Sequence, residues 1–158
     1  MGCTQIGIKK AACFLKMTGR RCMMIRYANK SDLEILKNAD KHISAKELEN
    51  SIEAKHVLVM FHQDDFAGWL RFNLFWDNLP FMNMLYILEE YRGKGYGRQL
   101  VSHWEKEMLK LDYKTVLTST LSCEMAQFFY RKNGYIDCGS LLLPGEPLEI
   151  IMLKNLAG

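Results

Sequence analysis

Tyr91-Arg92-Gly93-Lys94-Gly95-Tyr96-Gly97-Arg98 joins an apolar run, Phe81 to Leu88, to a segment in which Leu100, Val101, Trp104, Met108 and Leu111 recur at helical spacing. The run reads as a buried strand and the segment as an amphipathic helix, so the octapeptide is a strand-to-helix turn. Its glycines let successive backbone N–H groups turn inward, and the helix dipole adds positive charge at the same end. Arg92, Lys94 and Arg98 put further positive charge around that concavity. Together these features describe a phosphate cradle; a tight turn with a solvated basic rim is the plainer alternative.

Outward from the turn, the chain reads as one domain of mixed α/β type. Upstream, Met23–Ala28 is a strand, Ser31 and Asp32 cap a helix carrying Leu33, Ile35 and Leu36, and Ser44 with Glu47 caps a second helix running towards Ala54. Val57–Phe61 is a strand, and Gln63-Asp64-Asp65 turns into another. There Phe66, Leu70, Phe72 and Leu74 alternate with Ala67, Trp69, Arg71 and Asn73. Downstream come a short strand at Thr115–Thr118, a helix from Glu124 to Asn133 closed by Gly134, and two strands, Ile136–Leu143 and Leu148–Leu153, around Pro144-Gly145-Glu146-Pro147. Three adjacent strands before the turn predict a mixed sheet, not a doubly wound parallel one.

Two common phosphate motifs are absent. The chain has no G-x-x-x-x-G-K-[ST], and G-x-G-x-x-G fails because its third glycine falls on Arg98 or on Leu100. What stands there, Arg92-x-x-Gly95-x-Gly97, is similar to the (Q/R)-x-x-G-x-(G/A) motif with which GNAT acetyltransferases grip the pyrophosphate of acetyl-CoA. Ala126-Gln127-Phe128-Phe129-Tyr130-Arg131-Lys132-Asn133-Gly134-Tyr135 resembles the same family's A-x-x-(F/L)-Y-x-x-x-G-(F/Y) helix and turn. Leu85-Tyr86-Ile87 sits where the family's fourth strand runs beside the pantetheine arm. The element order matches that fold from about Met23 to Leu156, and the resemblance implies its mixed, mostly antiparallel sheet flanked by helices.

The resemblance implies an acetyl-CoA-dependent N-acetyltransferase that moves an acetyl group to an amine by direct attack. Cofactor-binding residues would be Leu85, Tyr86, Ile87, Arg92, Gly93, Lys94, Gly95, Tyr96, Gly97, Arg98 and Cys123. A strand N–H near Ile87 or Leu88 would hold the developing oxyanion, and Tyr130 would protonate the departing sulfur or only pack against the cofactor. Two positions depart from the family pattern. Thr118 stands where several members place a catalytic glutamate, which leaves Asp77, Glu89 and Glu149 as carboxylates near the expected cleft. Cys123 stands where asparagine is frequent, and a helix start there would favour a reactive thiolate. Trp76, Asp77, Pro80, Phe81 and His42 would flank the acceptor side, open to a small amine, an antibiotic, a peptide N-terminus or a lysine. A non-catalytic CoA-binding regulator on the same fold would keep the loop and could dispense with the acid.

Composition fits a globular domain. The chain has 158 residues, 49% hydrophobic and 25% charged. A net charge of +3 is too small to make nucleic acid a main partner, and the basic residues form a loop rather than the stripe an RNA-binding module needs. No apolar run approaches the roughly 20 residues of a membrane span. Cys3, Cys13, Cys22, Cys123 and Cys138 contain no C-x-x-C pair, and the four histidines lack metal-ligand spacing. Reduced thiols, no metal and a cytoplasmic location are expected. Residues 1–22 are expected to be an extension ahead of the domain at 23–158. Ile6, Cys13, Phe14 and Met17 in it approximate an apolar stripe that would dock on the domain or on a second copy, as in a homodimer.

Overall fold

A computed structural model of the protein describes residues 23–157; the expected extension at 1–22 lies outside the described residues. Strand β1 (Met23–Tyr27) leads into helices α1 (Leu33–Ala39) and α2 (Ala45–Glu53), then strands β2 (Val57–His62), β3 (Asp65–Phe75) and β4 (Leu79–Ile87). Helix α3 (Tyr96–Lys110), strand β5 (Thr115–Leu121), helix α4 (Ala126–Lys132) and strands β6 (Ile136–Leu141) and β7 (Glu149–Asn155) complete the chain. This is the order expected from the sequence. The seven strands lie in one sheet in the order β1-β2-β3-β4-β5-β7-β6. Neighbours are antiparallel except β4 and β5, which run parallel. No helix among the described residues is long and apolar enough to cross a membrane.

Each face of the sheet has its own core. One gathers Leu58, Leu70, Phe72, Met82 and Met152 beneath Leu100, Val101, Trp104 and Met108 of α3 and Tyr130 of α4. The other packs Val57, Val59 and Trp69 under Leu36 of α1 and Leu48 and Ile52 of α2. Buried Asp40, just after α1, fastens that second layer. Its carboxylate accepts hydrogen bonds from Trp69 Nε1 at 3.2 Å, Arg71 Nε at 3.1 Å and the backbone N–H of His42 at 3.0 Å.

Local capping differs from expectation at one helix. Asn29 opens a 3-10 turn, Lys30–Asp32, ahead of α1: its Oδ1 accepts from Ser31 N–H, while Asp32 Oδ2 accepts from Asn29 N–H, and Asp32 holds the N-cap position of α1 without a side-chain bond into it. Asp32 is committed elsewhere as well, to Arg26, at 2.6 and 2.8 Å. Burial alone would raise the Asp32 carboxyl, but the Arg26 fork and the Asn29 amide hold it below its ordinary value. Ser44 does cap α2, accepting from Glu47 N–H at 3.2 Å.

Strand β3 does not alternate as its sequence suggests. Met60 pairs with Gly68 and Phe61 with Phe66, so Ala67 is the extra residue of a β-bulge. Phe66 therefore joins Trp69 on the α1–α2 face, and Ala67 joins Leu70 on the other. Gly68 is required here for space: a Cβ would stand 2.4 Å from the Tyr86 carbonyl oxygen and 3.2 Å from Ile87 Cα. Backbone cannot yield as a flexible side chain would. Gly68→Ala should destabilise the fold by about 1–3 kcal/mol, measured as a lower urea midpoint with an unchanged slope. An unchanged midpoint would mean that β4 moves aside freely.

Candidate active site

The cleft begins where the sheet comes apart. β4 and β5 pair through Phe81↔Leu117 and Met82↔Thr118, and there the ladder stops. A second bulge marks the spot, because Arg71 pairs with Met84 and Phe72 with Met82, leaving Asn83 over. Past this point β4 follows β3 towards Ile87 while β5 follows β7 towards Leu121. The Leu88 N–H donates to Ala67 O at 2.9 Å, on the β3 side. Alternation then turns the N–H and C=O of Ile87 the other way, into the opening. Of the two strand amides expected as oxyanion donors, Leu88 is thus already engaged and Ile87 faces the cleft.

On the α3–α4 face the opening widens into a cavity of about 660 Å³. Its walls come from three segments distant in sequence: Leu85 and Ile87 of β4, the turn from Tyr91 to Arg98, and Met125, Ala126 and Phe129 around the start of α4. Gly93 (φ +71°) and Gly95 (φ +81°) adopt left-handed backbone, and a Cβ on either would meet nothing within 4 Å. Gly97 lies where a Cβ would touch Phe129 at 3.6 Å. The first backbone N–H groups of the 15-residue α3 have no partner within the helix, and Gly95 stands as its N-cap. Arg92 Nε donates to Ile87 O at 2.8 Å, tying the turn to the strand, and the Arg92 guanidinium covers the Tyr86 ring at 4.9 Å. Tyr96 is 9% exposed, with its hydroxyl 3.1 Å from His62 Nδ1.

The structure thus gathers Leu85, Ile87, Arg92, Gly93, Gly95, Tyr96, Gly97 and Arg98 around one cavity. Three expected members stand outside its wall. Tyr86 points to the opposite face, its ring stacked on Trp69 at 4.9 Å. Lys94 bends back, its Nζ donating to Glu90 O at 2.7 Å. Cys123 is exposed and precedes α4, which starts at Ala126 rather than Glu124, so the helix-terminus argument for a reactive thiol does not hold. The intervening residues form a turn: Thr120 Oγ1 donates to Glu124 Oε2 at 2.9 Å, and Gln127 Nε2 to Ser122 O at 2.8 Å. The cavity also includes Ala126 and Phe129, which the sequence offered as letters of the helix motif and not as binding residues, and Met125, which it did not offer. The i, i+3 spacing of Ala126 and Phe129 at the start of a helix was the available signal.

Tyr130 is 6% exposed and packs edge-on against Phe129 and Tyr135 at 5.3 and 5.6 Å. Its phenol adjoins Thr118, the β5 residue at the fork, whose Oγ1 donates to Met82 O at 3.1 Å. Burial pushes the Tyr130 pKa above its ordinary value, against a smaller pull from Thr118, so the group stays a proton donor at neutral pH. Behind it, Tyr135 donates to the buried Glu105 at 3.0 Å, and Lys154 of β7 bonds the same carboxylate at 2.7 Å. This clamp joins α3 to β7 and holds the end of α4 in place. Of the carboxylates expected near the cleft, Asp77 lies in the β3–β4 turn and Glu89 in the 3-10 turn after β4, both exposed, while Glu149 opens β7.

Comparison with known proteins agrees with this geometry. Residues 24–135 match the Acetyltransferase (GNAT) family. A search of the curated proteins finds no relative. Solved structures share the fold at low identity. Ard1 from Thermoplasma volcanium superimposes with a TM-score of 0.74 at 13% identity, covering 86% of this chain and 99% of that one. The PaiA N-acetyltransferase from Thermoplasma acidophilum, in complex with coenzyme A, gives 0.71 at 22% identity, covering 85% and 99%. The ribosomal-protein-S18-alanine N-acetyltransferase from Escherichia coli gives 0.70 at 15%, covering 87% and 96%. The matched span runs through the forked strand, the glycine turn and the helix that carries Tyr130, and on that ground the chain belongs to the acetyltransferase (GNAT) family.

Proposed function

We propose that residues 23–158 form one catalytic domain that transfers the acetyl group of acetyl-CoA to a primary amine by direct attack. The cavity enclosed by β4, the glycine turn and the start of α4, opening at the fork of the sheet, is the observation that carries this function. The N–H groups of Gly93–Arg98, with Arg92 and Arg98, hold the pyrophosphate. Leu85 and Ile87 present backbone groups to the pantetheine arm. Alternation turns Leu85 N–H into the opening as it does Ile87 N–H, and Leu85, nearer the fork and Tyr130, receives the charge that develops on the carbonyl oxygen. Tyr130 gives its proton to the sulfur as the carbon–sulfur bond breaks, while the attacking nitrogen loses one to solvent or to a carboxylate. The PaiA structure with coenzyme A supports the choice of donor, and the N-acetyltransferases among the neighbours support an amine acceptor.

Incubating the protein with acetyl-CoA and an amine library should yield free CoA together with a product heavier by one acetyl group, detected by mass. Binding of acetyl-CoA with no acylated product from any amine would instead favour a CoA-responsive regulator on the same fold.

A further inference from the structure

On the sheet face opposite the cofactor cavity, the fork opens into a groove of about 180 Å³ lined by Asn73, Phe75, Phe81, Asn83, Ser119, Leu141, Glu149 and Ile151. We infer that it takes a primary amine whose chain carries a second cationic group, and that Glu149 holds that second charge. The inference rests on the acetyltransferase function proposed above and names its substrate class.

The position follows from the register. An acetyl group whose carbonyl oxygen is held by Leu85 N–H lies in the fork just past Met82 and Thr118, with the cofactor on the α3–α4 face, so the nucleophile must approach from the other side. Asn83 and Ser119, each one residue past the last β4–β5 pair, face that side. Their amide and hydroxyl can orient an attacking nitrogen but carry no charge. Ser119 pairs with Ile151, and Glu149 stands two residues further along β7. At about 3.3 Å per residue this places the Glu149 backbone about 7 Å from the fork row.

Composition of the groove fixes the sign of the ligand. Glu149 is half-buried and has no ion-pair partner among the described residues. The nearest cation along β3, Arg71, already has its charge matched by buried Asp40 at 3.1 Å. The remaining wall is aromatic and aliphatic: Phe75 and Phe81 lie 5.9 Å apart between ring centroids, and Phe75 packs against exposed Trp76 at 4.6 Å. These rings close the groove on the paired side of the fork row, while Ile151, opposite Ser119, and Leu141, opposite Glu149, line the path to Glu149 and favour a methylene chain. The volume suits about six non-hydrogen atoms, taking about 30 Å³ for each as for water. A four-carbon diamine has that size and spans the separation from the fork to Glu149. A chain ending in a carboxylate would meet Glu149 with like charge.

The test is steady-state transfer from saturating acetyl-CoA to 1,4-diaminobutane, 1-aminobutane and 4-aminobutanoate. A charged hydrogen bond of this kind corresponds to about tenfold or more. The diamine should therefore exceed 1-aminobutane in kcat/KM by about that factor, with 4-aminobutanoate the poorest acceptor. Glu149→Gln should collapse the advantage of the diamine to about threefold or less, and Glu149→Lys should move the preference towards 4-aminobutanoate. Titration of acetyl-CoA and thermal melting of each variant would verify that cofactor site and fold are intact. Equal use of the three amines by the parent, or a preference that survives Glu149→Gln, would overturn the inference and leave the acetyltransferase function standing. Bound acetyl-CoA without transfer to any of the three would also overturn it, and the library screen would then decide the function itself.

Discussion

Gly95→Glu is expected to abolish acetyl-CoA binding in a protein that remains folded. Gly95 has φ +81° and lines the cavity, and a Cβ on it would meet no atom within 4 Å. A glutamate there would fill the space assigned to the pyrophosphate and oppose its charge beside Arg92 and Arg98. Left-handed backbone costs an L-residue about 1–2 kcal/mol, which a domain with a stability of about 5–15 kcal/mol survives. The parent's melting temperature should rise with acetyl-CoA concentration, as it must for any ligand specific to the native state. The variant's should stay flat, and calorimetric titration should show no heat of binding. Gly95→Ala separates backbone strain from charge and should weaken binding much less. A folded Gly95→Glu protein with the parent's affinity would mean that the turn does not hold phosphate.

Tyr130→Phe should slow acetyl transfer by about a hundredfold or more at nearly constant acetyl-CoA affinity. Phenylalanine keeps the ring that packs between Phe129 and Tyr135 but removes the hydroxyl beside Thr118 at the fork. An interaction made mainly in the transition state lowers kcat and spares binding. Rapid-mixing measurement of the transfer step, with parallel titration of CoA, distinguishes the two quantities. A variant as fast as the parent would show that the thiolate leaves without this proton. The pH profile carries the same signature. Because burial lifts the phenol, its acid form persists through the ordinary tyrosine range near pH 10. No loss of rate from ionisation of this acid is therefore expected below about that pH.

Much of this site was legible because its parts are local. The glycine turn announces itself through Gly93, Gly95 and Gly97 beside a strand and a helix, and Tyr130 through the helix that Gly134 closes. What escaped the sequence depends on pairing between distant segments. Ala67 and Asn83 look like ordinary members of alternating strands, and only the partner strand shows which residue is surplus. The same holds for Tyr86, an apolar-looking neighbour of Leu85 and Ile87 that the pleat sends to the Trp69 side. The start of α4 shifted by two residues because side chains of Thr120 and Gln127 hold the preceding stretch in a turn, which removed the rationale for Cys123. Glu149 was visible only as one acidic residue near a strand; its place follows from the β5–β7 register, which no local pattern encodes.

The fork between β4 and β5 makes the sheet two leaves on a short joint: β1 to β4 on one side, β5, β7 and β6 on the other. Each leaf is laced internally by long antiparallel ladders, and the core beneath α3 spans both, so the wedge is held by packing where pairing stops. A molecule lying in the wedge touches both leaves at once. Cofactor and acceptor, entering from opposite faces, would meet in a gap whose width the packed core sets before either arrives.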